Sequence, residues 1–163
     1  MKQLRKAILG LLMAASSAVL CNEEPTMQVE NKFNYWGIGV GIPTLVSVKF
    51  GHREQKGRHG FEYGVGMTPL VVVTEGHVFG SYLYYPNPDL TSQSYVGVGL
   101  RAGGLLDTRH KFGYIAPGVM LGKEYKAGPK SRRFVQVAFG PGGLTTEGLK
   151  HWSSVSLTFG YNF

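Results

Sequence analysis

From Phe33 to the last residue the chain alternates apolar positions with small or polar ones at a period of two. The final segment shows this most clearly: Val155, Leu157, Phe159, Tyr161 and Phe163 fall on one side, and Ser154, Ser156, Thr158, Gly160 and Asn162 on the other. A strand turns successive side chains to opposite faces, so the pattern specifies a strand with one apolar and one small polar face. In other segments the second face is glycine. Gly37, Gly39 and Gly41 alternate with Trp36, Ile38 and Val40; Gly64 and Gly66 with Tyr63, Val65 and Met67; Gly97 and Gly99 with Val96, Val98 and Leu100. Interior glycine weakens a strand and marks places where another surface comes close. Inside a narrow barrel there is little room, so glycine fits an inward face, whereas a solvated sheet face gains nothing from it.

The alternation divides into eight strands, predicted at 33–41, 44–52, 60–73, 77–85, 94–105, 111–124, 132–141 and 151–163. Turn chemistry separates them: Gly41-Ile42-Pro43, the polar run Arg53 to His59, Thr74-Glu75-Gly76, Pro86 to Asp89, Leu106 to His110, Lys126 to Ser131, and Pro141 to Lys150. At the third joint Thr68-Pro69 is an alternative turn. Pro69 and Pro117 fall inside expected strands and call for a bulge or a kink. The segments suit tilted membrane strands of about 9 to 11 residues better than average soluble strands of about 5 or 6. Periodicity alone leaves two arrangements open: apolar faces inward in a soluble barrel or sandwich, or outward in a membrane barrel.

The beginning of the chain follows a different rule. Lys2, Arg5 and Lys6 precede an apolar run from Ala7 to Met13 and the small residues Ala14 to Ala18. This is the three-part pattern of a secretory signal peptide, too short to span a bilayer. Residues 1–21 are assigned to the signal, with cleavage between 18 and 24, followed by a short segment, 22–32, and a single barrel domain, 33–163. A lipidated Cys21 is the alternative end of the signal, opposed by Leu20 before it. Losing the signal lowers the formal charge from +7 to about +4, a weak basis for nucleic-acid binding. The 24 glycines of 163 residues lack a collagen period, 9 Tyr and 9 Phe exclude a disordered linker, and 1 Cys excludes a disulfide framework. An exported chain without a long apolar helix can enter a membrane as a closed β-barrel.

The signal peptide, the glycine-rich alternating strands and the ending Ser-Leu-Thr-Phe-Gly-Tyr-Asn-Phe163 together resemble the small eight-stranded outer-membrane β-barrels of the OmpA and OmpX types. The resemblance implies an all-β, antiparallel, up-and-down eight-stranded transmembrane barrel, exported through the Sec pathway to the outer membrane of a Gram-negative envelope. It implies contact with outer-membrane lipids or lipopolysaccharide. It also implies recognition by the barrel-assembly machinery of a terminal signal matched here by Val155, Leu157, Phe159, Tyr161 and Phe163. The resemblance covers architecture and no single activity.

Three functional readings follow. The first is a structural, envelope-integrity or surface-interaction protein. The second is a lipid-modifying enzyme, since outer-membrane lipid A deacylases use a His-x-Ser pair and His151-Trp152-Ser153 has that spacing; their acid follows the serine, whereas here only Glu147, before the pair, is at hand. The third is an exported soluble barrel binding a small apolar ligand. Taking the glycine side as inward puts Lys49, Glu62 and Arg101 in the lumen as a charge network, with Glu75 and His77 near the end of a hairpin. Tyr35, Trp36, Tyr82, Tyr84, Tyr85 and Trp152 are candidates for an interfacial girdle. The run Arg53, Lys56, Arg58 and His59 is a solvated turn or a contact for lipid phosphate. Scattered histidines lack metal-ligand spacing, and no cofactor motif is present, so neither a metal nor a cofactor is expected.

Overall fold

The computed structural model describes residues 30–42, 46–69, 74–89, 91–106, 111–128, 131–140, 143–145, 148–150 and 154–162. The proposed signal peptide and Cys21 lie outside them. The strands are β1 (Glu30–Ile42), β2 (Val46–Lys56), β3 (His59–Pro69), β4 (Thr74–Tyr84), β5 (Ser92–Leu106), β6 (Lys111–Lys126), β7 (Arg132–Gly140), the short β8 (Gly143–Thr145) and β9 (Gly148–Lys150), and β10 (Ser154–Asn162). Each long strand pairs antiparallel with its neighbour in sequence, β10 pairs with β1, and β5 pairs with β6, so the sheet closes on itself. Eight long strands form the wall, and β8 replaces β7 beside β6 at Tyr114 and Ile115.

The register fixes the shape of the barrel. Following cross-strand partners from Ile42 leads through Val155, Phe139, Val119, Val98, Tyr82, Phe61 and Glu54 back to β1 at Lys32, ten residues from the start. With strands about 4.8 Å apart and a rise of about 3.3 Å per residue, this stagger tilts the strands by about 40° from the barrel axis. The interior of such a barrel is just wide enough for side chains to fill.

Alternation then decides what faces where. Trp36, Ile38, Val40, Val65, Val98, Leu100, Val119, Val155 and Phe159 point outward and are exposed, while Gly37, Gly39, Gly66 and Gly97 are buried on the inner face. Several inner glycines have a specific use: they sit directly across from a bulky inward side chain that lies over them. Gly51 is covered by Tyr35, Gly122 by Tyr95, Gly160 by Phe134, Gly66 by His77, and Gly97 by Leu83 and Met120. A Cβ at these positions would occupy space already held by a ring or a chain. In this way large side chains cross a lumen that would otherwise be too narrow for them.

Several expected boundaries move. The run Arg53 to His59 is not a turn: Arg53–Lys56 complete β2, His59 opens β3, and only Gly57 and Arg58 connect them. Gly57 has φ of 59° and Arg58 has no positive φ, the geometry of a hairpin turn with glycine at its first central position. The polar residues there belong to the strand because their alternation serves a polar lumen. The third joint is neither Thr74-Glu75-Gly76, which belongs to β4, nor a turn at Thr68-Pro69, since Pro69 pairs with Thr74. Pro117 lies where the ladder beside β6 passes from Val119↔Phe139 to Ile115↔Leu144, so its missing N–H falls beside an interruption in the pairing. The stretch Pro141 to Lys150 contains the β8–β9 hairpin rather than a plain loop.

Candidate functional site in the barrel lumen

Arg53, on β2, is the centre of the lower half of the lumen, the half nearer the Gly57-Arg58 turn. Its side chain is fully buried. One guanidinium nitrogen, Nη2, lies 3.1 Å from Glu62 Oε1 and donates to Gln136 Oε1 at 3.2 Å, while Nη1 donates to Glu124 Oε1. The guanidinium carbon sits 4.1 Å from the centroid of the Phe134 ring, 4.8 Å from that of Tyr95 and 5.6 Å from that of Tyr35. Planarity and a fork of donors suit arginine to this place, where it meets two carboxylates and is walled by aromatic faces.

Hydroxyls and amides hold the two carboxylates further. Tyr35 donates to Glu62. Glu124 accepts from Tyr85 at 2.8 Å and from Gln93 at 3.1 Å, and Arg132 approaches its second oxygen at 3.7 Å. Tyr95 donates to Gln136 at 2.8 Å, and the amides of Gln55 and Gln93 bond reciprocally at 3.0 and 2.6 Å. Six strands contribute side chains, Tyr85 just beyond the end of β4 adds another, and β10 contributes the bare surface of Gly160 under Phe134. A buried charge is tolerated only when paired and hydrogen-bonded; in this cluster, which fills the lower lumen, every charge has an opposite partner, while Arg53 Nε and Glu62 Oε2 make no hydrogen bond among the described residues.

Above the cluster the packing opens into a cavity of about 290 Å³. Glu62 and Gln136 form its floor, Phe79, Met120, Ala116 and Ala138 part of its wall, and Lys49, Arg101, Glu75 and Tyr114 its polar equipment. Lys49 Nζ donates to Thr158 Oγ1 at 3.3 Å and lies 5.8 Å from the Phe79 centroid. Tyr114 donates to Glu75, whose Oε1 is 3.6 Å from His77 Nδ1.

The three residues expected in the lumen, Lys49, Glu62 and Arg101, all line this chamber; Glu62 at its floor pairs with Arg53 of the cluster below, and among the described residues no ion pair joins Glu62 to Lys49 or Arg101. Arg53, Gln55, Gln93, Glu124 and Gln136 were missed as lumen residues, although Arg53 and Gln55 share the parity of Lys49 along β2 and the same alternation reaches them. Tyr35 and Tyr85 are corrected from girdle to lumen, at 1% and 0% exposed. The outer ring is instead Trp36, Phe61, Tyr63, Tyr82, Tyr84 and Tyr161, with Arg133 stacked 5.5 Å from the Tyr161 centroid. Arg53 is likewise removed from any surface contact with phosphate; Lys56, Arg58 and His59 remain exposed. Glu147, His151, Trp152, Ser153 and Phe163 lie outside the described residues.

The comparisons agree with this architecture. No protein-family model and no curated protein matches the chain. Among solved structures it is similar to one described as "De novo design of transmembrane beta-barrels", at 18% identity and a TM-score of 0.51, over 84% of this chain and all of that one. It is also similar to the solution NMR structure of the de novo designed TMB2.3, at 14% identity and a TM-score of 0.46, over 82% of this chain and 94% of that one. The first likeness places the fold among transmembrane-type barrels.

Proposed function

We propose that the chain is an outer-membrane β-barrel with a structural or interactive role, in envelope integrity or in contacts made at the surface. The observation that carries this reading is the inversion of polarity: Val65, Val98, Leu100, Val119 and Phe159 cover the outside while Arg53, Glu62, Glu124 and Gln136 are buried within. A soluble barrel gains by the opposite arrangement, because apolar area left in water is unfavourable at about 25 cal/mol per Å². A lipid-facing wall needs an apolar band, a closed ladder and an aromatic ring, and all three are present. The filled lower lumen favours an anchoring over a conducting role.

Two partners belong to the same reading. Outer-membrane lipids would cover the band, with Lys32, Lys123 and Arg133, outward and close to the aromatic ring, facing lipid phosphates. The barrel-assembly machinery would read the alternating terminal residues Val155, Leu157, Phe159, Tyr161 and Phe163, of which Val155, Phe159 and Tyr161 are exposed on the outer face of the closing strand. The test is fractionation of the native envelope with heat-modifiable gel mobility. The expected result is recovery with outer membranes and a faster-migrating band before boiling; a protein soluble without detergent would end the proposal.

A further inference from the structure

The upper chamber has a charge imbalance that the lower cluster does not. Below, Arg53 and Arg132 stand against Glu62 and Glu124. Above, Lys49 and Arg101 share the chamber with Glu75 and the Glu62 floor, and because Glu62 is paired with Arg53 below, two cations face one uncommitted carboxylate among the described residues, counting His77 as neutral. Among the described residues neither Lys49 nor Arg101 has a carboxylate within 4.0 Å. Lys49 is nonetheless buried, at 7% exposed, with the Thr158 hydroxyl and the face of the Phe79 ring beside it. Buried charges are paired in stable structures, and with Glu62 committed to Arg53 the described lining of this chamber is one carboxylate short.

We infer that the upper chamber binds a monoanion with a short apolar body, of which a small monocarboxylate is the representative chemistry, held between Lys49 and Arg101. The charge decides the head: one negative charge balances the chamber, whereas a doubly charged phosphate would overshoot it against Glu75 and the Glu62 floor. The walls decide the body. Phe79, Met120, Ala116 and Ala138 offer apolar surface beside the cations, and a fully solvated inorganic ion has no use for it. A volume of about 290 Å³ lies at the lower edge of ligand pockets, which run from about 300 Å³ upward, and so suits a small molecule. Specificity follows from placing few polar groups in a mostly apolar cavity.

The inference does not depend on the role in the envelope, because the test uses the refolded barrel alone. Isotope-labelled protein in an uncharged maltoside detergent is titrated with hexanoate, with inorganic phosphate and with hexanol, and amide shifts are followed by NMR. Hexanoate is expected to give saturable shifts at Lys49, Gly99, Arg101 and Ser156, with hexanol and phosphate giving none there. Lys49→Gln is expected to weaken hexanoate binding at least tenfold. Should that variant lose its heat-modifiable form, Ala116→Leu keeps both cations and fills the cavity, and is also expected to weaken binding at least tenfold. Equal shifts from hexanol and hexanoate, or tighter binding of phosphate, would overturn the inference. So would unchanged hexanoate affinity in the folded variant.

Discussion

At the scale of the residue, the lumen shows why a single arginine outweighs its neighbours. Arg53 pairs with Glu62 and Glu124 together, so its removal strands the buried Glu62 and leaves Glu124 only the more distant Arg132. Breaking a buried pair from one side costs about 3–5 kcal/mol, and Arg53→Met should destabilise the barrel by at least that much in urea unfolding from micelles. Arg53→Lys should recover part of the loss, since it restores charge without the fork. Glycine offers a sharper contrast, because the same residue type is used in two ways. Gly160→Val would meet the Phe134 ring, and overpacking of this kind costs about 1–3 kcal/mol. Gly80 faces outward with nothing within 4 Å of a Cβ, so Gly80→Ala should change stability by no more than about 0.5 kcal/mol. Unfolding of the two variants side by side checks both values.

At the scale of the element, each strand carries two environments, and a substitution is read by its parity. Val98 lies outward near the middle of β5 and is 48% exposed. If lipid covers it, Val98→Arg should cost about 2–4 kcal/mol when the protein is folded into lipid vesicles; a wall facing water would tolerate the charge with little change. The closing strand is the most demanding element, since β10 supplies the partner of both β1 and β7. Removing residues 154–163 opens two ladders at once and leaves unpaired backbone on both sides, so the shortened chain should show no heat-modifiable band. The strand edges were the least legible part of the sequence. Polar residues at Arg53, Glu54 and Gln55 read as a turn because polarity and turn chemistry look alike locally, whereas along β2 they continue an alternation whose inner face happens to be polar.

At the scale of the whole molecule, the barrel is a wall around a partition. A stagger of ten residues around eight strands sets a bore that aromatic side chains bridge only by lying over glycine on the next strand. The Arg53 cluster fills one half of that bore and leaves the chamber of Lys49 and Arg101 in the other. The wild-type protein should therefore give no resolved steady conductance in planar bilayers. A stable open level in most insertions would contradict the filled lower lumen.

The sequence by itself determined the strands as a class, their approximate number, and which face of each is small and which apolar, because alternation is a local property of the backbone. It also carried the glycine side of the wall, legible at Gly37, Gly64 and Gly97 without any partner in view. Only the tertiary structure decided that the glycine side is the inside, that Tyr35 and Tyr85 belong to the lumen rather than the girdle, and that Glu62, beside Lys49 and Arg101 in the chamber lining, pairs with Arg53. The physical reason is register. Which side chains meet across a closed barrel depends on the stagger summed over all eight strands, and no segment of the chain contains that sum.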